Sequence, residues 1–355
     1  MAIEAGLVGQ QQPAMGAPEV SPNAAVMMLL NRYRLTQVIH VAARFGIADV
    51  LAAGPTRVEE LASACDAHPG ALYRLLRAAA AFGVFRQDEE GRFENTALSE
   101  RLRADVVLSL RPLALMMGED RYWGMWGDFL DTVKTGAPVV PHPFECDKRG
   151  YPARDAARSA IVRAVVEATL VLDALAVLSL YDFGHCQTLL YPGFHGGYVG
   201  FLVRFFRRYP QTHAIVLELP ENELAARSDL ARAGVLDRCR VIAAEPLSPL
   251  PLGADTHILR SLITYYDNET AVRFLRQSRG ALQDGGRLLI VAMLVPPRNE
   301  FGVGTDTDLE AMLVSAGAGE RTEEQYLELL AGSGFRVRQI LRGRAPTAVI
   351  EAVAV

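Results

Sequence analysis

The 355-residue chain has little cysteine: four residues, Cys65, Cys146, Cys186 and Cys239, far apart in sequence. No C-x-x-C pair occurs, so neither a zinc knuckle nor a thioredoxin-type centre is expected, and the thiols read as reduced and cytoplasmic. The first twenty residues lack Lys, Arg and any sustained apolar run. A secretory leader is therefore not expected, and their Gly, Gln, Pro and Ala content suits a disordered lead-in. The most apolar stretch, 161–181, is broken by Arg163, Glu167 and Asp173, which excludes a membrane span there. Excess positive charge is absent too. A formal net charge of −5 gives no pull toward nucleic acid or anionic membrane. There is no G-x-S-x-G, no H-E-x-x-H, no phosphate-binding P-loop and no internal repeat. No metal site is expected.

Half of the residues are hydrophobic and 22% are charged, the balance of a soluble globular protein long enough for two domains. Residues 21–110 follow a helical pattern. Met27, Leu30, Val38 and Ala42 recur at helical spacing up to Gly46. Thr56-Arg-Val-Glu-Glu has a capping-box-like spacing into Leu61. His68-Pro-Gly70 marks a turn into a helix over 71–82, and short strands at Val84-Phe85 and Arg92-Phe93 flank Asp88-Glu-Glu-Gly91. That outline is a winged helix. Arg74 and Arg77 are offset by Glu59, Glu60 and Asp66, too weak a basic footprint for DNA, so packing and dimerisation is the expected use.

Residues 111–180 are helical with a Gly/Pro-rich interruption over 136–152. Met116, Met117, Trp123 and Trp126, with Phe144, are large adaptable side chains suited to a flat apolar ligand, or to plain core packing. From 181 onward strands and helices alternate. Strands are expected at 188–191, 214–217, 240–243, 257–259 and 287–291, helices at 198–209, 221–233 and 269–282, and a closing antiparallel hairpin over 335–341 and 348–355. This is a doubly wound α/β sheet, in which ligands bind at the carboxyl ends of the strands.

Several phrases carry a family likeness by their order and spacing: Phe45-Gly-Ile-Ala-Asp49, Leu75-Leu-Arg77 before Gly83-Val84, Tyr209-Pro210, Glu218-Leu-Pro-Glu221, Asp284-Gly-Gly-Arg-Leu-Leu289, Glu320-Arg-Thr-Glu-Glu324 and Gly334-Phe335. From about residue 22 to the end the chain resembles the small-molecule O-methyltransferases of bacteria and plants. The resemblance implies a Rossmann-like methyltransferase domain over 181–355 behind an N-terminal winged-helix dimerisation domain over 21–110. It also implies a homodimer and a small natural-product substrate.

In that family the first strand ends in an acid and a glycine-rich loop that holds S-adenosylmethionine. The matching stretch here is Leu190-Tyr-Pro-Gly-Phe-His-Gly-Gly197. Leu190 stands in place of the acid, and Pro192 and Phe194 replace two glycines. Leu190 cannot accept from an ammonium, and the loss of one charge-assisted hydrogen bond costs about 1.5–3 kcal/mol. Tyr191, Gly193, Phe194, His195 and Gly196 therefore mark a degenerate cofactor loop. Glu218 matches the acid that holds ribose hydroxyls, and Glu245 stands near the adenine position.

The family's general base, a histidine, falls at Thr264, followed by Tyr265 and Tyr266. A carboxylate that supports this histidine falls at Ala292. A threonine hydroxyl is too weak a base to replace imidazole, which leaves His257, His142 or His195 as substitutes. The leading expectation is thus a repurposed methyltransferase fold, needing no cofactor. Thr264, Tyr265 and Tyr266 would donate hydrogen bonds to a rearranging or cyclising aromatic intermediate. The alternatives are an S-adenosylmethionine-dependent O-methyltransferase and a non-catalytic binding homologue.

Overall fold

A computed structural model describes residues 21–139, 165, 171–194 and 197–355, the Arg121 side chain excepted. The chain divides into two compact units between Trp123 and Gly124.

The first unit opens with helices α1 (Pro22–Asn31) and α2 (Tyr33–Phe45). Ser21 caps α1, its hydroxyl accepting from Ala24 N. Gly46 ends α2 at φ 65°, where its N–H meets the carbonyls of Ala42 and Ala43. Helices α3 (Val58–Cys65) and α4 (Pro69–Ala81) follow, then the antiparallel strands β1 (Phe85–Gln87) and β2 (Phe93–Asn95). Their apolar faces close one core that contains Ile47, Leu61, Leu76, Phe85 and Phe93. The turn between the strands is held by Asp88, which accepts from Arg92 N at 2.8 Å and from Arg92 Nε at 2.8 Å.

This is the expected winged-helix outline with one correction. Thr56 caps nothing: its backbone exchanges hydrogen bonds with Phe93 at 2.9 and 2.8 Å, adding an edge bridge to the wing, while Arg57 occupies the N-cap of α3. Helix α5 (Arg111–Met117) completes the core side of the unit, with His40 Nδ1 placed 3.1 Å from Ala114 O. Among the described residues no single helix is long and apolar enough to cross a membrane.

In the second unit, α6 (Phe129–Thr135) and the helical residues Val171–Leu180, α7, lead into a seven-stranded sheet. Its strands are β3 (Thr188–Pro192), β4 (His213–Glu218), β5 (Cys239–Ala243), β6 (Thr256–Arg260), β7 (Arg287–Met293), β8 (Phe335–Arg342) and β9 (Thr347–Ala354). The order is β5-β4-β3-β6-β7-β9-β8, parallel through β7, with β9 antiparallel to both neighbours.

Nearly continuous burial of Leu189 to Pro192 in β3 and of Leu288 to Ala292 in β7 explains their unbroken apolar runs, since central parallel strands are covered on both faces. Helices α8 (Tyr198–Arg208), α9 (Glu223–Arg232) and α10 (Asn268–Ala281) connect the parallel strands. One core cluster gathers Phe201, Phe205 and Phe183, and the other gathers Phe274, Tyr326 and Leu288. The order in which strands are added reverses between β3 and β6, the position where doubly wound sheets open a crevice.

Two further helices lie beyond the expected set: α11 (Val303–Val314) and α12 (Glu323–Ala331). α12 begins with a complete capping box, Thr322 with Gln325. α11 packs so near β7 that a Cβ on Gly304 would lie 2.2 Å from Leu294 O.

Candidate functional site

The last residues of β6 and β7 open onto a cavity of about 290 Å³. Its chemistry is supplied by Asp173 on α7, Arg260 at the end of β6, Thr264 and Tyr265 in the turn that follows, Glu310 on α11, and Glu320. The turn is tight. Ser261 is held at φ 49°, a left-handed conformation uncommon for a side-chain-bearing residue. Its N–H reaches Val291 O at 3.1 Å, so the backbone leaves the sheet toward the cavity.

The buried Arg321 guanidinium fixes this turn. It donates to Ile263 O at 3.0 Å, to Tyr266 O at 2.8 Å and to Asn268 Oδ1 at 3.0 Å. Gly319 N donates to Thr264 O at 2.9 Å, which ties the segment bearing Glu320 to the segment bearing Thr264. As a result the Thr264 hydroxyl donates to Glu320 Oε2 at 3.2 Å.

Burial pushes the Glu320 carboxyl up to about 7; Thr264 and Arg321 oppose the rise, and Asp308 and Asp173 add to it. A carboxylate in that range is suited to accept a proton near neutral pH. Glu320 was legible only as part of a family phrase. Ala292 supplies no carboxylate, but Glu320 places one beside Thr264.

Deeper in the cavity Asp173 and Arg260 form a buried ion pair. Arg260 Nε donates to Asp173 Oδ2 at 3.0 Å, and Nη2 makes a second, shorter bond to the same oxygen. Thr347 Oγ1 donates to Asp173 Oδ1 at 2.7 Å. The Arg260 guanidinium also interacts with the buried Tyr191 hydroxyl on β3.

Other expected residues fall elsewhere. His257 is fully buried inside β6, its Nδ1 paired with Ser278 Oγ at 2.8 Å, and burial lowers its affinity for a proton to a pKa of about 4. It does not line the cavity and is withdrawn as a base. Tyr266 points away into the core, and its buried hydroxyl has no hydrogen-bond partner among the described residues. Burial raises its pKa to about 12, so it too is withdrawn from the catalytic set. His142, Phe144, His195 and Gly196 lie outside the described residues.

Met116 and Met117 are half-buried on α5, Trp123 packs on Tyr33 with ring centroids 5.8 Å apart, and Trp126 packs on Phe129 at 5.6 Å. Trp126, in the second unit, is not among the residues that line this cavity.

At the end of β3 and in the loop after it, Leu190 is sealed in the core and Phe194 is buried beside it. Gly193 turns under Tyr198, where a Cβ would stand 2.6 Å from the ring. Glu218, at the end of β4, is buried; it accepts from Leu219 N at 2.9 Å and bonds the side chains of Tyr198 and Asn222. Desolvation raises its pKa. Glu245 is exposed in the loop after β5.

Residues 126–336 match the O-methyltransferase domain family, and residues 27–105 match the O-methyltransferase dimerisation domain. The chain belongs to the O-methyltransferase family. It is 34% identical to the phenazine O-methyltransferase of Lysobacter antibioticus, over 95% of this chain and 97% of that one. It is 30% identical to the O-demethylpuromycin O-methyltransferase of Streptomyces alboniger, over 97% and 92%. Among solved structures, a methyltransferase of calicheamicin biosynthesis in its S-adenosylhomocysteine-bound form superposes with a TM-score of 0.81 at 25% identity, covering 95% of this chain and all of that one.

These matches overturn the leading expectation of a non-methylating rearrangement, because relatives similar over nearly the full length are named methyltransferases. The solved relative in its S-adenosylhomocysteine-bound form counts against the expectation that no cofactor is needed.

Proposed function

We propose that this protein is an S-adenosylmethionine-dependent methyltransferase that modifies a hydroxyl of a small aromatic natural product, with Glu320 as proton acceptor. The observation that carries the reading is the Thr264–Glu320 hydrogen bond on the wall of a cavity at the carboxyl edge of the sheet, in a chain of this family. The donor set at the switch point suits the cofactor. Glu218 ends β4 with a buried carboxyl for ribose hydroxyls, and Arg260 ends β6 with a guanidinium for a carboxylate. When bound, the cofactor supplies the activated methyl group.

This chain's residues then have defined work. Glu320 takes the phenolic proton, which raises the nucleophilicity of the substrate oxygen. Thr264 orients the acceptor carboxylate, and Arg321 keeps both segments in register. Val291, Ala292, Met293, Ala311 and Val314 give the rest of the wall an apolar share that suits an aromatic ring, beside the hydroxyls of Ser261, Thr307 and Thr347.

A homodimer accords with the dimerisation-domain match and with α1, which exposes Val26, Met27, Met28, Leu29 and Leu30 on one short helix. A concentration-independent monomer mass in solution would remove that part of the reading.

The test is incubation with methyl-labelled S-adenosylmethionine and a panel of hydroxylated phenazines and naphthoates, the classes named in its relatives. Transfer of one labelled methyl group to a ring oxygen is expected. Failure across the panel, with cofactor binding also absent, overturns the proposal.

A further inference from the structure

The family's loop acid is gone, yet the cavity contains a carboxylate that no motif announced. We infer that Asp173, paired with Arg260, replaces that acid and clamps the α-amino-acid end of the cofactor. The inference rests on the methyltransferase reading above.

An α-amino acid is a zwitterion, so its binding site needs an acceptor for the ammonium and donors for the carboxylate within a few ångströms of each other. β3 cannot deliver the acceptor, because Leu190 is the residue at that position and is buried in the sheet core. Asp173 comes from a different element, α7, yet reaches the switch point between β3 and β6. There Arg260 at the end of β6 bonds Asp173 and interacts with Tyr191 of β3.

The pair keeps binding capacity. A carboxylate accepts at about four positions, and Asp173 Oδ1 receives one donor here, from Thr347. A guanidinium has five N–H donors, more than Asp173 and Tyr191 engage. Both side chains line the cavity, and its wall continues from them to Thr264 and Glu320. A zwitterion seated on the pair would thus share one chamber with the proton acceptor.

Stability alone is a poor reason for such a pair. Desolvating two charges costs about as much as their attraction returns, so a buried ion pair beside a cavity is weakly justified as a structural element. The expected use is recognition of a ligand with matching opposite charges.

The experiment compares two ligands by calorimetric titration. S-adenosylhomocysteine carries the amino-acid end, whereas 5′-methylthioadenosine lacks it. Asp173→Asn should weaken S-adenosylhomocysteine roughly 10- to 100-fold and change 5′-methylthioadenosine by less than about threefold, the range expected for one charge-assisted contact. Equal weakening of both ligands, or no change in either while methyl transfer persists, overturns the clamp and leaves the methyltransferase reading standing. Binding of neither ligand by the unaltered protein overturns both.

Thermal unfolding checks that Asp173→Asn folds. If it does not, Thr347→Val, which keeps the charge pair but releases Asp173 Oδ1, decides the matter. A several-fold loss confined to S-adenosylhomocysteine supports the clamp, and an unchanged ratio of the two affinities refutes it.

Discussion

The two ends of the seven-stranded sheet each bury a carboxylate beside an arginine, and the two arrangements differ in what surrounds them. At the amino end of β7, Glu351 is saturated by protein. Tyr181 donates to Oε1 at 3.0 Å, Gln339 donates to Oε2 at 2.6 Å, and Arg287 Nη1 lies 3.1 Å from Oε1. At the carboxyl end of β6, Asp173 and Arg260 line an open chamber shared with Glu320. One group of charges is spent on joining β8, β9 and the end of α7 to the sheet. The other is arranged around space. Buried charge alone therefore does not mark a site; buried charge facing a cavity at the switch point does.

The largest expected effect separates the ends by chemistry. Glu320→Gln keeps size and hydrogen bonding to Thr264 but removes the proposed proton acceptor. kcat for methyl transfer should fall by about 10²–10⁴-fold, the usual contribution of a positioned base, with S-adenosylhomocysteine affinity little changed. Steady-state kinetics and calorimetry on the same sample check this, and a fall below tenfold would exclude Glu320 as the base. At the opposite end, Glu351→Ala should act on stability instead. It strands Arg287 and the Tyr181 and Gln339 donors, which should cost about 3 kcal/mol in denaturant unfolding. Activity per folded molecule should persist. A large loss of kcat without loss of stability would erase the contrast between the two ends.

Acidity gives the next contrast. The Glu320 pKa is raised to about 7 by burial, so its basic form grows in as pH rises through that value. kcat should rise toward an alkaline plateau with an acid limb near pH 7, and Glu320→Gln should flatten the limb. The groups facing Glu320 that shape this limb are Thr264 from the turn, Asp308 on α11, Asp173 on α7, and Arg321 and Tyr326 from the following segment. The linkage has the opposite sign for stability. A carboxyl whose folded pKa lies above its unfolded value is costless at low pH, and its penalty sets in between the unfolded value near 4.3 and about 7. Glu320→Gln should remove that loss, which unfolding curves at pH 4.5 and 8 would reveal.

Much of this sheet was legible in the chain. The apolar runs of β3, β4, β6, β7 and β9 follow from burial on both faces, a strong local signal, whereas the edge strand β8 is largely exposed. α11 was missed because Gly304, Thr305, Asp306, Thr307 and Asp308 at its start carry little helical periodicity; close packing against β7 makes it a helix. The site was legible in half. Thr264 and Tyr265 line the cavity where family alignment put them, but their partner Glu320 lies 56 residues away, and Asp173 lies 87 residues from Arg260. Asp173 read only as a charge interrupting an apolar helix. No local pattern announces that such a charge will meet an arginine at the sheet edge. His257 failed for the same reason in reverse: sequence offered a histidine, and only the fold shows it sealed against Ser278.

The smallest expected effect tests whether Thr264 acts on substrate or through Glu320. Its hydroxyl donates to Glu320 Oε2, a bond that favours the ionised carboxylate and holds the pKa below what burial alone would impose. Thr264→Val preserves shape and removes that donor. The acid limb of kcat should then move to higher pH, and kcat at pH 7 should fall by a few-fold while the alkaline plateau is nearly kept. A hydroxyl that contacted the reacting oxygen directly would instead lower the plateau and leave the limb in place. The pH profile of this one variant therefore distinguishes a positioning residue from a catalytic one, which no measurement at a single pH can do.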